Sequence, residues 1–241
     1  MGELADLWGL LTATRPPLDP VASLLAIVAS VVLVAVTPLW QLVRHVVTIA
    51  HEGGHAVVAT LAGRRLSGIR LHADTSGLTV SRGRPDGIGM VLTLLAGYPA
   101  AGVLGLGAAW AVSGGYTVGM LWMLLLLLAA LLVQVRNWFG LWSVLVTGAL
   151  LLAVTLIGAP DVQGVFAIVV TGVLVLGAVR SSFELGRARR RRGGGMSDAD
   201  QLARLTRIPA IVWVGVFIVA SGACAVGAGV LLGVNGWLPG A

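Results

Sequence analysis

Long apolar runs separated by short polar connections fill the chain from about residue 21 onward. Roughly 20 apolar residues, rising 1.5 Å each, cross a hydrocarbon core of about 30 Å. Seven segments meet or approach that length: about 21–40, 41–62, 88–112, 117–134, 139–158, 163–179 and 209–233. The pattern predicts an all-α integral membrane protein of about seven transmembrane helices. It reads as one polytopic domain over 1–241, opened by an N-terminal tail at 1–20. Pro38, between the first two segments, predicts a tight turn or a kink. Between the second and third segments the period changes. In "RRLSGIRLHADTSGLTVSRGR", Ile69 and Leu71, then Leu78 and Val80, alternate with polar residues around "ADTSG". That alternation about a turn-forming centre predicts a small β-hairpin within the loop 64–87, pressed against the cytoplasmic face of the membrane.

Composition supports the membrane reading: 57% of residues are hydrophobic and only 11% are charged, against about 25% charge in a soluble domain. Every basic residue is an arginine. Arg64, Arg65, Arg70, Arg82 and Arg84 follow segment two, Arg136 follows segment four, and the connection 180–208 carries the run "RARRRR" at 187–192. The intervening connections "SGGYT" and "GAPDVQG" have none. Arginines confined to alternate connections mark one side as cytoplasmic. The expectation is an N-terminus in the cytoplasm and a C-terminus outside. The run in the basic loop 180–208 is expected to meet anionic lipid headgroups, not nucleic acid. A single cysteine, Cys224, within an apolar stretch, excludes a disulfide framework and a cysteine metal site. The opening residues lack a basic start and a small-residue cleavage site, so no secretory signal is expected. The absence of an internal repeat leaves an inverted-repeat transporter without support.

One segment carries polar chemistry. "HEGGH" at 51–55 places Glu52 as the only acidic residue in the seven apolar segments. A carboxylate at the centre of a span costs roughly 2.5–3.5 kcal/mol on the insertion scale, and such residues mark function. His51 and His55 stand four positions apart, which puts both rings on one helix face. Two imidazoles and a carboxylate suit Zn²⁺ and leave a fourth position open. Glu52, next to the first histidine, is placed to act as the general base of a metallopeptidase. Gly53 and Gly54 each cost about 1 kcal/mol against alanine inside a helix. They clear space for a substrate backbone or for a neighbouring helix. His45, six residues before His51, falls off that face and reads as interfacial with Arg44.

The chain resembles the site-2 proteases, intramembrane zinc metalloproteases, and in particular a compact branch of that family. The stretches that carry the resemblance are "HEGGHA", "GIRLHADTSGLTVSRG", "AGYPA", "RNWFG" and "SDADQLARLT", in that order over most of the chain. The resemblance implies a metal site within the membrane, a strand-bearing segment after the motif helix, and hydrolysis of peptide bonds in membrane protein substrates. Typical members take a third ligand from an aspartate in an "LDG" stretch that follows an Asn-Pro-rich motif. Here Asn137 sits at a comparable place, but no aspartate follows it in "WFGLWSVLVTG". Asn137 itself could donate to a substrate strand or to a developing oxyanion. The third ligand is expected at Asp198, with Glu184 as the alternative and His72 and Asp74 behind them. Asp161 lies on the opposite side. "SDAD" is also an ordinary helix-start signal, a competing role for Asp198. Without the "LDG" aspartate, a non-hydrolytic metal-binding scaffold of the same fold stays open beside the peptidase. Oligomeric state is not legible.

Overall fold

The computed structural model describes residue 9 and residues 12–192 and 195–234. Most of them are helical. In chain order the elements are α1 (Pro20–Ala35), α2 (Thr37–Leu61), β1 (Arg65–Leu71), β2 (Gly77–Arg82), α3 (Ile88–Ser113), α4 (Thr117–Leu132), α5 (Trp138–Ile157), α6 (Pro160–Arg192), α7 (Asp198–Thr206) and α8 (Ala210–Val234).

Among the described residues, four helices are long and apolar enough to cross a bilayer: α3, α5, α6 and α8. A fifth span arises if α1 and α2, bent by 98° at their junction, are counted together. By length and composition the count among the described residues is therefore four or five, short of the seven spans expected from the sequence. Three helices account for the difference: α2, with 25 residues, is long enough but is apolar enough only together with α1. α1 and α4 have 16 residues each, which at 1.5 Å per residue is about 24 Å, short of the core thickness. The bend comes from Pro38. It has no N–H to offer the Val34 carbonyl one turn back, so the helix cannot continue. Arg180 supplies the missing donors, from its Nη1 to the carbonyls of Val34 and Ala35. Its guanidinium also lies over Trp40, 5.1 Å from the ring centroid.

The basic connection expected at 180–208 is largely helical. α6 runs unbroken through Arg192, and α7 forms a further short helix. α3 lies at the centre, packed against α2, α6 and α8. Close approach depends on its small residues: a Cβ at Gly105 would fall 2.6 Å from Cγ1 of Val175. α7 seats Ala199 and Leu202 in a core shared with Leu94, Val214 and Phe217, which fixes its N-terminus beside α2.

The two strands pair antiparallel, Leu71 with Gly77 and Arg65 with Arg82, with a bulge between Leu66 and Gly68. The turn between them is built by Asp74, whose Oδ1 accepts from the Ser76 N–H at 2.9 Å, while Thr75 takes φ 66°. Those two donors from Ser76, hydroxyl and amide, hold the Asp74 carboxyl below its ordinary pKa. Residues 134–136 lengthen the sheet beside β1: Ile69 N–H donates to Gln134 O, and Arg136 N–H to Ile69 O, both at 2.8 Å.

Candidate metal centre

The motif helix α2 presents His51 and His55 one turn apart, their Nε2 atoms 3.0 Å from each other. Asp198 arrives from the first turn of α7, its Oδ2 at 3.3 Å from both nitrogens. The three ligand atoms lie within 4.8 Å of one another, a group that could hold a metal ion. Second-layer contacts fit that use. Nδ1 of His55 lies 2.7 Å from the Thr93 carbonyl, which can only accept, so the proton sits on Nδ1. That leaves the Nε2 lone pair facing the centre, the arrangement metal-binding histidines commonly show. Gly97 of "AGYPA" is the floor of the cradle. A Cβ there would stand 2.5 Å from Cε1 and Nε2 of His55 and 2.6 Å from Cε1 of His51. Tyr98, next in sequence, sets its ring edge-on to His51 at 4.8 Å and stacks on Phe217 at 4.9 Å.

Asp198 is free for this role because its neighbours cap the helix. The Ser197 hydroxyl accepts from the Asp200 N–H, and Asp200 Oδ2 accepts from the Ser197 N–H, a reciprocal capping box. Asp200 also accepts from the Gly195 N–H at 3.0 Å and pairs with Arg189.

Glu52 is buried beside the histidines, and β2 lies across it. The Thr79 hydroxyl donates to Glu52 Oε2 at 2.6 Å, and a Cβ at Gly77 would fall 2.4 Å from Oε1. Thr48 on α2 donates to the Thr75 carbonyl at 3.0 Å, pinning the hairpin turn to the same helix. A cavity of about 450 Å³ opens here, lined by His51, Glu52, Asp198, Tyr98, Arg44 and Glu184 among others.

The remaining sequence candidates stand elsewhere. Glu184 reaches the cavity rim but is engaged by Arg180 Nε at 3.0 Å and Arg44 at 3.7 Å, outside the metal group. Asn137 does not face the histidines. Its Oδ1 accepts from the Leu71 N–H at 3.1 Å and its Nδ2 donates to the Leu71 carbonyl at 2.7 Å, so the amide fastens β1 to the start of α5. Gly54 meets Ala100 Cβ and the Ala96 carbonyl, where a Cβ would lie 2.4 and 2.9 Å away, and Gly53 faces Leu131. Both are packing glycines in this structure and neither lines the cavity. His72 and Asp74 are exposed in the hairpin turn, and Asp161 lies in the first turn of α6, far along that helix from its arginines. His45 packs against Phe139 at 5.7 Å.

A family model described as Peptidase M50B-like matches residues 24–228. No curated protein and no solved structure matches the chain.

Proposed function

From a chain that belongs to the Peptidase M50B-like family, that of the site-2 proteases, we propose a zinc-dependent endopeptidase that cleaves membrane-associated protein substrates near the cytoplasmic face. The observation that carries this reading is the convergence of His51, His55 and Asp198 beside the buried Glu52. Two neutral imidazole nitrogens and one carboxylate form a donor set of the catalytic zinc type, with room left for a further ligand. Zinc held there would supply Lewis acidity toward a peptide carbonyl and toward water.

The protein's own part is proton handling and positioning. Glu52 takes the proton from the attacking water and delivers it to the leaving amine as the peptide bond breaks. Thr79 occupies Oε2, which leaves Oε1 as the oxygen to take the proton, and the missing side chain at Gly77 makes room for the carboxylate itself. The hairpin, held to α2 through Thr48 and Thr79 and to α5 through Asn137, keeps this edge of the cavity polar.

The test is direct. Purified full-length protein in detergent should cleave an unfolded carrier such as casein, stop in chelator, and recover on addition of zinc. Bound zinc with no cleavage would favour the scaffold reading. The arginine distribution supports placing the hairpin and α7 in the cytoplasm and the C-terminus outside. In that layout the short α4 also crosses, from Gly115 to the residues beside β1. The Arg15 N–H donates to the Gly115 carbonyl at 3.0 Å, which argues for the start of α1 at the outer end and against the N-terminus inside. Reporter fusions after Arg84 and at Gly115 should then report opposite sides, and a shared side would refute that orientation.

A further inference from the structure

We propose that the groove between the C-terminal end of α1 and the outer face of α6 binds one anionic phospholipid. Its acyl chain lies along the apolar wall and its phosphate rests on Arg187. The groove encloses about 540 Å³ and is lined by Val31, Leu176, Val179 and Phe183, with Arg180 and Arg187 among its walls. Leu176, Val179, Arg180, Phe183 and Arg187 recur at helical spacing, so α6 presents apolar side chains and then arginines along one stripe. Val31 and Phe183 are 46% and 44% exposed, as suits a surface turned toward lipid.

Depth agrees with chemistry. From Asp161 to Arg180 is 19 residues of continuous helix, about 29 Å, close to the thickness of the hydrocarbon core. Arg187 lies two turns further, at the level of the headgroups. The two arginines differ in availability. Arg180 is committed to the Val34 and Ala35 carbonyls and to Glu184. Arg187 has no ion pair or hydrogen bond among the described residues and is exposed. Glu184, the acidic residue between them in sequence, is already shared by Arg180 and Arg44. An unpaired cation at the end of an apolar groove matches a phosphate with a chain attached. A zwitterionic headgroup would bring its own cation beside two arginines, and a free phosphate would leave the apolar wall uncovered. The site stands apart from the metal centre and does not depend on the peptidase reading.

Native mass spectrometry tests it, using the full chain in micelles doped with phosphatidylglycerol or phosphatidylcholine of identical chains. The expected result is one phosphatidylglycerol retained per chain in preference to phosphatidylcholine. Arg187→Gln should weaken retention about fivefold, the usual worth of one arginine at an anionic surface. Arg204→Gln, an exposed arginine on α7, should change nothing. Equal retention of the two lipids would overturn the proposal, as would an unchanged Arg187→Gln. Complete displacement by inorganic phosphate would also overturn it, since the apolar wall would then contribute nothing.

Discussion

Glu52→Gln should keep its zinc and lose hydrolysis by a factor on the order of 10² or more, the usual worth of a positioned general base. The substitution preserves shape. The amide oxygen can still accept from the Thr79 hydroxyl that now donates to Oε2 at 2.6 Å, and neither histidine nor Asp198 is touched. What disappears is the ability to take a proton from water. Stability should hold, because a neutral amide in this buried position is desolvated at lower cost than a carboxylate. Zinc per chain and casein cleavage, measured on the same preparation, separate the two effects. Cleavage at the wild-type rate would remove Glu52 from the chemistry.

How much of this was legible in the sequence depends on the range of the contact. The pairing of His51 with His55 is a local fact of helix geometry, and the four-residue spacing sufficed. The hairpin was legible for the same reason: alternation around "ADTSG" matches the strands at Arg65–Leu71 and Gly77–Arg82. The number of spans was harder to read. Apolar composition does not reveal where a helix stops, and Pro38 ends α1 after 16 residues, while α6 continues as helix through a run of arginines. Side chains that meet across elements were the least accessible. Thr79 and Gly77 touch Glu52 from a strand more than 20 residues away, and Gly97 makes room for both imidazoles from α3. No periodicity encodes those meetings. "AGYPA" and "GLTV" were visible only as matched stretches, with no role attached. Asn137 shows the same limit: a polar residue at a span start invites a catalytic role, and only the folded chain reveals that its amide pairs with the backbone of β1.

Asp198→Asn should strip the centre of zinc, with an affinity loss larger than the 10–100-fold typical of removing an outer-shell partner. The asparagine is nearly isosteric but removes the negative charge that stands 3.3 Å from both Nε2 atoms. A helix-start role for this residue predicts something milder, since asparagine suits helix N-termini about as well as aspartate. Ser197→Ala makes the contrast. It removes the side chain that caps α7, at about 1 kcal/mol, and leaves all three ligand atoms in place, so its zinc should remain. Gly97→Ala approaches the same centre from below. Alanine favours the helix by about 1 kcal/mol, but its Cβ would displace both rings, so the variant should fold well and still lose metal. The decisive measurement is zinc content per chain for wild type, Asp198→Asn and Ser197→Ala, purified in parallel. One zinc in wild type and in Ser197→Ala with none in Asp198→Asn is the predicted result; equal zinc in all three would contradict a centre built from His51, His55 and Asp198.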